Sequence, residues 1–135
     1  MKGITLVIFA AIVFVAPLSA KANECWLASN IKGYSAYADE SYEFAKDGLP
    51  STVLVCFEGD RGTVSGTDTR LVKFGESTLA GYAENKGIEL FEVYQLDKIK
   101  NKILYIKSRI GTKTVTPILS DVVTSFVGDI VKVNN

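Results

Sequence analysis

The chain has no histidine, one tryptophan, one methionine, three prolines and only two cysteines in 135 residues. The missing histidine removes Ser-His-Asp and Cys-His nucleophile pairs and every histidine-ligated metal site. Cys25 and Cys56 stand far apart rather than in a CxxC pair, which argues against a redox or thiolate metal motif. No glycine-rich phosphate loop occurs, because Gly59, Gly62 and Gly66 punctuate turns rather than open a helix after a strand. An excess of either charge is missing too: 15 basic residues balance 15 acidic ones. That leaves no basic stripe for a nucleic acid.

Acid chemistry is reduced to one local run, Asp39, Glu40, Glu43 and Asp47. Paired carboxylates are the tools of a glycosidase, and calcium also prefers carboxylate oxygen. The run lacks the spacing of a calcium loop, however, and reads as a solvated acidic surface. We expect no catalysis, no cofactor and no metal.

The N-terminus carries the strongest signal. Met1 and Lys2 precede a charge-free, largely apolar run from Ile4 to Leu18, broken near its end by Pro17 and followed by Ala20-Lys21-Ala22. This is the pattern of an export leader over 1–22 with a small-x-small cleavage site. The run is shorter than the roughly 20 residues that cross a bilayer core, so no stable membrane anchor is expected after cleavage. Cys25 follows Glu24, which excludes a lipid-modified cysteine box. A mature chain over 23–135 would be one domain with a slight acidic excess, working in the periplasm or outside the cell. In such a compartment Cys25 and Cys56 are expected to form a disulfide that staples the mature N-terminus to the strand around Val53–Phe57. Closing a loop of that length stabilises by about 3–4 kcal/mol in the chain-entropy account.

Turn residues recur at intervals near ten: Gly59–Gly62, Ser65–Asp68, Gly75–Ser77, Asn85–Gly87 and Lys100-Asn101. Between them lie short runs rich in Val, Thr, Tyr, Phe and Ile. This is the rhythm of an antiparallel meander closed into a small barrel or sandwich. Expected strands are Thr52–Glu58, Thr63–Ser65, Arg70–Phe74, Thr78–Ala83, Ile88–Leu96 and Lys102–Ile110. The last two form a hairpin with apolar groups on both faces, hence central in the sheet rather than at its edge. The segment from Ile31 to Phe44 is compatible with strand or helix. At the C-terminus, Ile118, Leu119, Val122, Val123, Phe126, Val127, Ile130 and Val131 repeat at helical spacing, with Thr116 and Pro117 suited to start a helix. The expectation is a β-rich, α+β domain with one C-terminal helix near 116–132.

Phe57 to Gly66 resembles the strand–turn–strand of small calycin-type and other exported bacterial β-domains. The resemblance covers ten residues and assigns no family. Two kinds of binding surface are expected. Trp26, Tyr82, Tyr94 and Tyr105 are candidates to line a site for a small apolar or amphipathic ligand inside the barrel. Lys98, Lys100 and Lys102 alternate around the hairpin tip and are candidates to meet a partner protein, as in an enzyme inhibitor or immunity-like factor. Protection of an exposed hairpin against edge pairing is the plainer reading of those lysines.

Overall fold

A computed structural model describes residues 23–111 and 120–134. The expected leader over 1–22 and the start of the expected helix, 116–119, lie outside the described residues. The described residues fold into nine antiparallel strands: β1 (Glu24–Tyr37), β2 (Phe44–Gly48), β3 (Val53–Glu58), β4 (Arg61–Val64), β5 (Leu71–Phe74), β6 (Thr78–Asn85), β7 (Ile88–Asp97), β8 (Lys102–Gly111) and β9 (Val122–Lys132). Each of β3 to β9 pairs with the next, and β9 pairs back onto β1. β2 and β3 lie end to end along the other side of β1, opposite its C-terminal and N-terminal halves respectively. The two share one position, so the sheet closes into an eight-strand barrel through the β1–β9 pairing.

β3 to β8 fall close to where the turn residues place them. The C-terminal segment is a correction. Instead of a helix near 116–132, residues 122–132 form β9, hydrogen-bonded to β8 on one side and β1 on the other. Val122, Thr124, Phe126, Gly128 and Ile130 are buried while Val123, Ser125, Val127 and Val131 are exposed, a period of two. Valine and isoleucine recur here so densely that they satisfy helical spacing as well. Closure of the barrel decides the matter, because β9 pairs the edges that β8 and β1 would otherwise leave open. Gly128 faces inward and is required small: a Cβ there would sit 2.7 Å from Ile31 and 2.8 Å from the Ser29 carbonyl.

The ambiguous stretch from Ile31 to Tyr37 belongs to β1. Its register slips between Ser29 and Lys32 at a bulge, where Asn30 adopts a left-handed backbone with φ of 52°. Before the bulge the even residues Trp26 and Ala28 face inward; after it the odd residues Ile31 and Ser35 do. One extra residue therefore reverses the alternation. A single 3₁₀ turn, Ala38–Glu40, follows and carries two of the acidic candidates at the surface.

Cys25 and Cys56 are cross-strand partners on β1 and β3 and are joined by a disulfide. The bond is compatible with an oxidising, exported location. Side chains fill the lower barrel: Val55, Leu71, Leu79 and Ile103 are essentially inaccessible and pack with Trp26, Phe57, Leu96 and Phe126. The outer wall is not wholly polar. Leu104, Ile106 and Ile110 on β8 and Val123 and Val127 on β9 are each about two-fifths to one-half exposed, so the second apolar face of the β7–β8 hairpin points away from the core.

Candidate functional site

The barrel interior changes character along its axis. At one end, where β3 runs out and the β7–β8 hairpin turns, the inside is sealed. Lys98 reaches across this end, its ammonium 5.0 Å from the Phe57 ring centre and 5.9 Å from that of Trp26. It pairs with Glu24 at 3.0 Å and donates to the Glu76 carbonyl at 2.8 Å. Burial alone would raise the Glu24 carboxyl, but hydrogen bonds from Lys98 and Trp26 outweigh it and hold the group below the usual carboxylate range.

The opposite end is polar and open. There the inward positions are Glu92 and Tyr94 on β7, and Tyr105, Lys107 and Arg109 on β8. They line a cavity of about 330 Å³ whose rim is made by Leu49, Pro50 and Ser51, by Ser65, Gly66 and Thr67, and by Leu90. The parity of the two strands builds it: Tyr94 stands opposite Tyr105 and Glu92 opposite Lys107. The two tyrosine rings stack with centres 4.7 Å apart.

Glu92 is only 4% exposed, yet its carboxylate is well supplied with donors. Tyr94 and Tyr105 donate their hydroxyls to Oε1 at 3.1 and 2.9 Å, and Thr67 donates to Oε2 at 2.8 Å. Burial, together with the neighbouring carboxylate, pushes both phenols well above their ordinary range, so they remain protonated donors. Arg109 spends Nε and Nη2 on the Ser120 carbonyl, at 3.1 and 2.8 Å. Also at this end, the part-buried Asp47 accepts from the Tyr37 hydroxyl and the Gly48 amide, and Ser35 shares a buried hydrogen bond with Thr124. Lys107 is half-buried, and burial followed by the nearby Arg109 charge lowers its ammonium pKa despite Glu92 and Asp47.

The four aromatic candidates do not gather into one pocket. Tyr94 and Tyr105 line the cavity. Trp26 lies at the sealed end, donating its indole N–H to Glu24 at 2.8 Å. Tyr82 is on the outer wall, 56% exposed, with its hydroxyl on Glu89. The three lysines also separate: Lys98 seals the barrel, Lys100 pairs with Asp97 at 3.5 Å, and Lys102 pairs with Asp129 at 2.5 Å. Among the described residues no cluster of acidic or cysteine side chains is arranged to hold a metal ion.

Sequence reading missed Glu92, Lys107, Arg109 and Thr67 as site residues. The signal for the first three was present, since Glu92 is two residues from Tyr94, and Lys107 and Arg109 are two and four from Tyr105. Period two places them on the same inward face. Thr67 gave no such signal, because it comes from the β4–β5 connection. The chain matches no protein-family model, no curated protein and no solved structure.

Proposed function

We propose that the protein is an exported, non-catalytic binding protein that holds a small amphipathic ligand in the polar mouth of its barrel. The observation that carries this reading is the 330 Å³ cavity, which joins apolar rim residues (Leu49, Pro50, Leu90) to a few convergent polar groups. Such a mixture, at the mouth of a small barrel, is what ligand seats are made of. The leader-like residues 1–22 and the Cys25–Cys56 bond support work in the periplasm or the extracellular medium, with the leader removed near Asn23.

Native mass spectrometry of protein purified from its own host tests the reading. A small retained mass is expected, and it should disappear in Ser51→Trp, which places an indole in the mouth. A second reading, a protein-interaction module, is favoured by the β7–β8 hairpin tip. There Ile99 is 94% exposed and the Lys100 side chain 79%. A co-purifying protein lost in Ile99→Asp, with no small mass, would establish that reading instead.

A further inference from the structure

Four charged side chains face the polar end of the barrel, and three of them each make at least two hydrogen bonds to the protein. Glu92 accepts from three hydroxyls, Asp47 from one hydroxyl and one amide, and Arg109 donates twice to a carbonyl. Lys107 is different. Its ammonium has three donors and lines the cavity, yet it makes no hydrogen bond and no ion pair within 4 Å among the described residues. The unspent bonding capacity of the site is thus cationic.

Resting on the ligand-binding reading above, we propose that the cavity takes a small monocarboxylate with a compact apolar body, its carboxylate paired to the Lys107 ammonium. A single negative charge suits the site better than two, because Glu92 and Asp47 already face the same end and would repel a dianion. The compact body follows from the floor. Beneath the stacked Tyr94–Tyr105 pair the barrel is filled by Val55, Leu71, Leu79 and Ile103, which leaves no channel for a long chain. A ring-sized group fits between that aromatic floor and the Leu49, Pro50 and Leu90 rim.

Calorimetric titration of the full mature protein with benzoate, benzamide and benzylamine tests this. Benzoate should bind at least tenfold more tightly than benzamide, and Lys107→Met should abolish that difference while leaving benzamide unchanged. Equal affinities for benzoate and benzamide would overturn the carboxylate assignment while the cavity reading stood. Tightest binding of benzylamine, drawn to Glu92, would overturn it too. If no probe binds, both fall. Should Lys107→Met not fold, the wild-type protein still decides. Benzoate affinity should drop as pH rises through a range below that of ordinary lysine, where the Lys107 ammonium deprotonates, while benzamide affinity stays level. The raised Tyr94 and Tyr105 phenols keep their protons there. A pH-independent benzoate affinity would contradict the proposal.

Discussion

At the two ends of the barrel the same strands enclose opposite chemistry. Where Lys98 lies over Trp26 and Phe57, its charge is matched by Glu24, its remaining contacts are aromatic, and the space beneath is packed with apolar side chains. Ten to twelve residues along the chain from Val55, the β3 partner of Trp26, the rim residues Ser65–Thr67 belong to a mouth lined with hydroxyls and charges around a cavity. A lysine stands at each end. One has every interaction it needs from the protein, and the other has none at hydrogen-bonding distance among the described residues. On the proposed binding reading, the end where the lysine is satisfied serves stability and the end where it is not serves the ligand.

Removing the aromatic wall of the sealed end should have the largest effect. Trp26→Ala is expected to cost about 3–5 kcal/mol, read by denaturant unfolding, as for other large-to-small changes in a packed interior. Probe binding at the far mouth should survive wherever the variant remains folded. A smaller loss is expected from the polar end. Glu92→Ala leaves three hydroxyls without their acceptor, two of them on buried tyrosines, and should cost about 1–3 kcal/mol. Glu92→Gln, which keeps an acceptor oxygen, should recover most of it. If the alanine variant were as stable as wild type, the network would be incidental to the fold.

The smallest effect is electrostatic and spans both ends. Glu24 at the sealed end and Asp47 at the polar end both have carboxyls held below the ordinary range: burial would raise them, but their hydrogen bonds prevail. A group whose folded pKa is depressed stabilises the fold above its unfolded value, and that contribution is lost as pH falls through the folded value. Stability should therefore decline in acid, beginning near the usual carboxylate pKa of about 4. Lys98→Met should shrink this acid dependence by freeing Glu24 from its partner. An acid profile identical to that of wild type would remove the pair from the account.

Much of the strand pattern was legible because turns were marked by residues that tolerate left-handed backbone, such as Gly59, Gly66, Gly75 and Gly87, each with positive φ. β9 was not legible, since Val122 to Val131 fits both periods and the choice rests on pairing with strands distant in sequence. β1 was obscured by the Asn30 bulge, which reverses which residues point inward. The site was half visible. Tyr94 and Tyr105 share a face by parity, and that parity extends to Glu92 and Lys107. Which end of the barrel each aromatic occupies depends on how the strands are staggered on closure, so Trp26 and Tyr82 could not be told from the cavity pair by residue type.

Chemical-shift mapping on 15N-labelled protein spanning residues 23–135, titrated with benzoate, tests the proposed division of labour between the two ends most directly. The account predicts perturbed amides at Ser65–Thr67, Glu92, Tyr94, Tyr105 and Lys107, with the indole of Trp26 and the amides of Glu24 and Lys98 unmoved. Shifts centred on Trp26 and Lys98, or on the hairpin tip at Ile99, would contradict it.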